Sequence, residues 1–175
     1  MRYRYLSLLL PSCVLAFFIS PAWGQENATP EISFRCQSDR DVPLTVAQNK
    51  AGQTENIFVW QKDILEGKTT ESPQQLCHDV ARRLNEYHNE SGDEANSSLF
   101  YLFAQQYNDI PIICVGFNMF CSRVLFTLKR DDEDAKISDR VLDNTVAPNI
   151  KENNLRNIRG SSFTGYKVDL FSEEF

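Results

Sequence analysis

The chain has 175 residues, of which 42% are hydrophobic and 24% are charged. These values are typical of one globular domain with a real core, and they exclude a collagen-like, repeat or fully disordered chain. The formal net charge is −6, and an acidic surface argues against a nucleic-acid partner, whose phosphates require a basic surface.

The first 24 residues have the three parts of a secretory signal peptide. Arg2 and Arg4 make a positive start, and an apolar run over residues 6–19 follows. Small residues stand one and three places before Gln25, so we expect cleavage after Gly24. Cleavage would leave 16 basic and 24 acidic residues, a balance of −8, because the segment contains two arginines and no acid.

Two other interpretations of this segment compete with cleavage. An uncleaved anchor would need about 20 apolar residues to cross the membrane, more than this run supplies around Pro11. A lipoprotein site at Cys13 would leave an apolar region of only about five residues, which is below the usual range.

Three strands are predicted before the first long helix. Ile32, Phe34 and Cys36 alternate with polar residues, which is the period of a half-buried strand. A second strand is expected over residues 43–48, and a β-branched and aromatic run predicts a third over residues 57–60.

A helix is predicted over residues 73–87. Ser72 is a suitable N-cap, and Pro73 suits the first helical position. Apolar side chains recur with helical period, and Cys77 lies within that stripe, so its sulfur should face the sheet.

Two further strands are expected over residues 99–103 and 110–115, joined by turn chemistry at Asn108 and Asp109. A hairpin with a four-residue tip at 116–119 should then place Val115 opposite Phe120. The same register would place Cys114 opposite Cys121, within reach of a disulfide. The last strand should carry Val124, Phe126 and Leu128 on one face.

Four cysteines follow the signal segment, and an even number in an exported domain indicates two disulfides with three possible pairings. The hairpin register favours Cys114 with Cys121, which leaves Cys36 to pair with Cys77. Chain-entropy estimates give about 4 kcal/mol for the long loop and about 2.5 kcal/mol for the hairpin loop.

The composition changes after residue 130. An acidic run fills residues 131–134, and the stretch 149–157 is rich in asparagine and charge. We therefore expect a disulfide-stapled domain at 25–130 and a polar, acidic, partly disordered C-terminal extension at 131–175. Within it, residues 131–160 should be weakly structured, and the end could return to the sheet as a strand through Val168 and Leu170.

Familiar catalytic machinery is missing from the sequence. The two histidines, His78 and His88, have a poor spacing for a shared metal and are read as exposed helix residues. The cysteines lie in apolar segments, and their spacing matches neither the Cys-x-x-Cys motif of redox sites nor the short pairs of zinc sites. Neither a cofactor nor a metal is therefore expected. Carboxylates are plentiful enough to supply a hydrolytic acid/base pair, but no pattern singles one out. The following have adequate interpretations as turn or surface residues: Asp39, Asp41, Asp63 and Asp79.

Several short motifs, in order, resemble the circadian oscillating protein family of cyanobacteria over residues 32–130. They are Phe34-Arg35-Cys36, Val59-Trp60, Ser72-Pro73-Gln74 leading to Cys77, Pro111-Ile112-Ile113-Cys114, Cys121, and Leu125-Phe126-Thr127-Leu128-Lys129. The resemblance implies an exported, membrane-associated protein whose abundance follows the daily cycle, with no established biochemical activity.

The expected fold is α+β, with one antiparallel sheet of about five strands, one helix packed on it and two disulfides. The functional hypothesis is an exported, non-enzymatic binding or accessory domain in the periplasm, the thylakoid lumen or outside the cell. Its partner would be a protein or a membrane surface. The alternatives are an exported hydrolase with unidentified carboxylates and a structural protein lipid-anchored through Cys13.

Overall fold

The computed structural model describes residues 32–90, 98–117, 120–131, 134, 136–153 and 164–171. The signal peptide predicted for residues 1–24 lies outside this part of the chain. The elements in chain order are β1 Ser33–Asp39, β2 Val42–Gln48, β3 Thr54–Val59, α1 Lys62–Leu65, α2 Pro73–Glu90, β4 Leu99–Tyr107, β5 Ile110–Phe117, β6 Phe120–Thr127, α3 Ile137–Thr145, α4 Pro148–Asn153 and β7 Gly165–Asp169.

The strands form two antiparallel sheets, with the orders β1-β2-β3 and β6-β5-β4-β7. The α+β class is confirmed, but the prediction of one sheet of about five strands with a single helix is wrong. The outer edge of β3 is taken by the chain that follows α3: Val146 forms an antiparallel bridge with Phe58, and the Ala147 amide donates to the Ile57 carbonyl at 2.9 Å. The strands from β4 onward form the separate second sheet.

Helix α2 begins where the sequence predicts. The Gln75 amide donates to the Ser72 hydroxyl at 3.2 Å, so Ser72 is the N-cap. The apolar stripe is buried along the whole helix, which runs through Glu90. His88 is part of that stripe and packs edge-on against Phe34 at 6.1 Å between ring centroids, so the expectation of an exposed His88 is wrong.

Two polar side chains of α2 bind the backbone of both sheets. The Phe34 amide donates to Asn85 Oδ1 at 2.8 Å, and Asn85 Nδ2 donates to the Phe34 carbonyl at 2.6 Å. On the other side, the Arg83 guanidinium donates to the Leu125 carbonyl at 2.7 Å. Because β1 and β6 are edge strands, these bonds satisfy backbone groups that the sheets leave unpaired. The helix thereby joins the two sheets.

Replacing Asn85 by leucine is expected to lower the free energy of unfolding by about 1–3 kcal/mol, because the Phe34 amide and carbonyl would lose their partner. Urea unfolding followed by circular dichroism measures the change. Asn144→Ala, which removes a similar side-chain bond from the exposed face of α3, should cost less than about 0.5 kcal/mol. Equal stabilities of Asn85→Leu and the wild type would contradict the proposed role.

An aromatic cluster lies where the two sheets and α2 meet. Trp60 stacks on Phe58 at 5.1 Å between ring centroids and meets Phe126 edge-on at 5.4 Å. The Trp60 indole N–H donates to the Thr45 hydroxyl at 2.8 Å, which in turn donates to the Cys77 carbonyl at 3.3 Å. Tyr101 of β4 is half-buried. The aromatic side chains that are buried in β3, after it and in β4 are Phe58, Trp60, Phe100 and Phe103.

The described residues after 130 belong to the same core. Val141 and Leu142 of α3 are fully buried, and β7 pairs with β4 in antiparallel register. Tyr166 of β7 donates a hydrogen bond to Asp143 of α3, and the contact with this carboxylate together with burial raises the tyrosine pKa. The return of the chain end through Val168 is confirmed. The core therefore extends beyond the boundary expected at residue 130, since 137–153 is largely helical instead of weakly structured.

Candidate functional site

The disulfide between Cys36 and Cys77 ties the edge strand β1 to helix α2, with 5.3 Å between the Cα atoms. Cys77 is fully buried, whereas Cys36 is half-buried. The predicted pairing of these two cysteines is confirmed. Gln74 covers the bond from outside, with its Nε2 at 3.6 Å from Cys36 Sγ and at 2.9 Å from Nε2 of the exposed His78.

The other two cysteines in the part of the chain that the structure describes, Cys114 and Cys121, are free thiols. The predicted register, with Cys114 opposite Cys121 and Val115 opposite Phe120, is wrong. Strand β5 continues through Phe117, past the predicted start of the tip at residue 116, and the β5–β6 pairing shifts at two irregularities. The second disulfide, which was inferred from that register, is absent from the structure. The observed pairs are Phe117 with Phe120, Gly116 with Cys121, and Cys114 with Val124.

Gly116 sets the spacing of the two thiols. A Cβ atom at this position would lie 1.7 Å from the Phe120 carbonyl oxygen, so only glycine allows β6 to approach β5 this closely. Cys114 stands two positions before Gly116 and shares its face of the strand, while Cys121 is directly across from Gly116. The close approach therefore places Cys114 and Cys121 near each other across the two strands, and a hydrogen bond between the thiols contributes to the shifted pKa of each.

The two thiols have opposite protonation preferences. The hydrogen bond between them lowers the pKa of Cys121, although partial burial acts in the other direction. The pKa of Cys114 is raised by the same hydrogen bond, by burial and by the charge of Cys121. Of the two thiols, Cys121 therefore ionises more readily than Cys114.

Gln105 of β4 is the third member of this arrangement. Its Nε2 donates to Cys114 Sγ at 3.3 Å, and this bond acts to lower the pKa of Cys114. A half-buried thiol with a lowered pKa, beside a fully buried thiol, is a candidate nucleophile with an internal second thiol. Such a pair is suited to thiol–disulfide chemistry.

The remaining sequence candidates are scattered. Asp39 ends β1 and Asp41 lies in the turn after it, whereas Asp63 is on α1 and Asp79 is on α2 beside Arg82. Within the described ranges, no three histidine, cysteine or acidic side chains form a group that could hold a metal ion. In the same ranges, no helix has both the length and the apolar character needed to cross a membrane.

A family model described as Circadian oscillating protein COP23 matches residues 33–172. The chain belongs to this family. No curated protein and no solved structure matched the chain. The match to the circadian oscillating protein family includes all four cysteines and runs beyond the resemblance at 32–130. It thus covers α3, α4 and β7, which the structure places in one core with the earlier elements.

Sequence reasoning missed Gln105 and Gly116 as members of the thiol site. The strand alternation gave a signal for Gln105, since it shares a strand face with Phe103, whose cross-strand partner is Cys114. The role of Gly116 depends on the bulged register, for which the sequence has no simple signal.

Proposed function

We propose that this protein is an exported, non-enzymatic accessory domain that binds a partner protein at a membrane surface. The signal segment at residues 1–24 and the disulfide between Cys36 and Cys77 support export, because disulfides persist in oxidising compartments. The periplasm, the thylakoid lumen and the cell exterior all satisfy this condition.

The observation that carries the binding proposal is an exposed apolar pair at the end of the β4–β5 hairpin. Tyr107 and Ile110 stand directly opposite each other, and 65% and 47% of their surfaces are exposed. Asn108 and Asp109 between them both have positive φ, as a tight two-residue hairpin turn requires. Such a turn presents the pair rigidly, and rigid aromatic side chains are favoured anchors in protein interfaces.

Charge gives the expected character of the partner. The chain after residue 24 carries 16 basic and 24 acidic residues, a balance of −8. We infer a partner with an apolar pocket for Tyr107 and Ile110 and a basic rim, since complementary charge increases the rate and specificity of association. An acidic surface is repelled by anionic lipid, which favours a protein on the membrane over the lipid itself.

The test is sedimentation of the protein with membranes from its native host. Changing Tyr107→Ser and Ile110→Thr together should weaken co-sedimentation by more than about tenfold, because both apolar anchors are lost. Phe120→Ser is the matched control, because Phe120 is 77% exposed at the start of β6, where it pairs with Phe117 at the far end of β5 from Ile110. It should bind like the wild type.

Vesicles made only from the extracted lipids should not retain the protein. Retention by such vesicles, or equal binding of the double variant and the wild type, would contradict a protein partner at the β4–β5 hairpin.

We propose in addition that Cys114 and Cys121 close into a second disulfide when the protein is oxidised. Their placement supports this proposal, since Cys121 lies opposite Gly116 and Cys114 lies two positions before Gly116 on the same face of β5.

A further inference from the structure

The two free cysteines differ in access and in hydrogen bonding. Cys121 is half-buried, while Cys114 is fully buried behind it and contacts Gln105. A disulfide with only a structural role requires no such difference between its two halves. In thiol–disulfide exchange, however, one thiol must meet an external disulfide and the other must be kept from it.

We propose that Cys121 and Cys114 are the attacking and the resolving thiol of a reversible exchange site that takes an external disulfide as its substrate. This inference rests on the oxidised form proposed above, and it goes further by assigning an order to the two thiols. The external disulfide is either a small molecule or part of a redox protein, since both present the same bond.

The exchange has two balanced steps. The Cys121 thiolate attacks one sulfur of the external disulfide, a mixed disulfide forms, and the other sulfur leaves as a thiolate. Cys114 then gives its proton to that thiolate and attacks Cys121 Sγ, which forms the internal disulfide and expels the second external sulfur as a thiolate that takes a proton from solvent. The protein loses two electrons and the Cys114 proton, and the external disulfide becomes two thiols by taking those two electrons, that proton and a second proton from solvent.

The contacts of Cys114 impose this order. Its pKa is raised by the hydrogen bond to Cys121, by burial and by the Cys121 charge. Once Cys121 is part of a mixed disulfide, its negative charge is gone, and so is the hydrogen bond to a thiolate. Burial alone then opposes ionisation, and the Gln105 amide at 3.3 Å favours it. The difference in burial gives the same order, because an external disulfide can reach the half-buried Cys121 but not the fully buried Cys114.

The order is tested on the full chain, reduced until Cys114 and Cys121 are free, and then exposed to oxidised glutathione. Acid quenching, alkylation and peptide mass spectrometry identify the state of each cysteine. The wild type should form the Cys114–Cys121 disulfide. Cys114→Ser should instead retain glutathione on Cys121, while Cys121→Ser should leave Cys114 as an unmodified thiol, because it is buried.

Equal glutathione modification of Cys114 in Cys121→Ser and of Cys121 in Cys114→Ser would overturn the order. Free thiols in the wild type at every ratio of oxidised to reduced glutathione would overturn the proposed disulfide itself. An internal disulfide in the wild type with no adduct on Cys121 in Cys114→Ser would overturn only the exchange. Thermal unfolding of each variant establishes that it is folded.

Gln105 provides a second readout, because it is a positioning residue for Cys114. Gln105→Met removes the donor to the forming thiolate and should slow the resolving step about tenfold, so the mixed disulfide accumulates. Gln75→Met, on the exposed face of α2, is the matched control and should resolve as fast as the wild type. Unchanged resolution in Gln105→Met would contradict its assigned role.

The same experiment is repeated with an oxidised thioredoxin-fold protein in place of glutathione. This comparison distinguishes the two sources of disulfide. Faster oxidation by that protein at equal concentration would assign the site to a redox protein, and faster oxidation by glutathione would assign it to small disulfides. Oxidation by neither would contradict the exchange site.

Discussion

Replacing Cys36 by alanine is expected to lower the free energy of unfolding by about 4 kcal/mol. The bond to Cys77 joins residues 41 positions apart, and its loss frees the unfolded chain to sample many more conformations. The Cys77 side chain left behind is fully buried and behaves as a small apolar group, so it adds little penalty of its own. Urea unfolding of both proteins under non-reducing conditions measures the difference.

The same experiment in strong reductant is the control. Both proteins then lack the bond, so their stabilities should converge. A difference that persists in reductant would mean that the substitution acts through packing. Equal stabilities without reductant would mean that the disulfide between β1 and α2 does not stabilise the fold.

Replacing Trp60 by alanine is expected to cost about 3–5 kcal/mol. The ring is 1% exposed and touches Phe58 and Phe126, so its removal leaves a cavity where the two sheets meet α2. The Thr45 hydroxyl also loses the indole donor. Thermal and urea unfolding followed by circular dichroism measure the loss.

Trp60→Phe separates the two contributions. It keeps most of the ring volume and loses the indole N–H, so it should be clearly less destabilising than alanine. A phenylalanine variant as unstable as the alanine variant would show that the bond to Thr45, and not the packing, dominates at this position.

Local patterns correctly predicted the helix and strands whose capping residues and hydrophobic periodicity lie within one short segment. The cap at Ser72 and the apolar stripe of α2 lie in one short segment, and the alternation of Phe34 and Cys36 marks β1. These inferences needed only the periods of helix and strand. The pairing of Cys36 with Cys77 was reached by elimination, so this correct pair came from a hairpin register that the structure contradicts.

The errors arose where distant parts of the chain decide the structure. The β5–β6 register depends on bulges and on the close approach at Gly116, and a shift by one residue changes which side chains share a face. Val146 takes the edge of β3 from far along the chain, which no local pattern indicates. The stripe of Ile137, Val141 and Leu142 is short, and the charge around it made this region resemble a solvated tail.

His88 illustrates the same limit on a smaller scale. Its sequence neighbours suggest an exposed histidine, but it lies on the stripe that faces β1, where the Phe34 ring covers it. The thiol site is a further case, because Gln105, Cys114 and Cys121 come from three strands, and only the folded sheet brings them into contact.

The most direct test of an exported, disulfide-stapled domain is the intact, non-reduced mass of the protein from its native host, with its N-terminus and linked peptides mapped. The account predicts a chain that begins at Gln25 and a linked pair of peptides containing Cys36 and Cys77. A chain that keeps residues 1–24 and carries free thiols at both of these cysteines would contradict it.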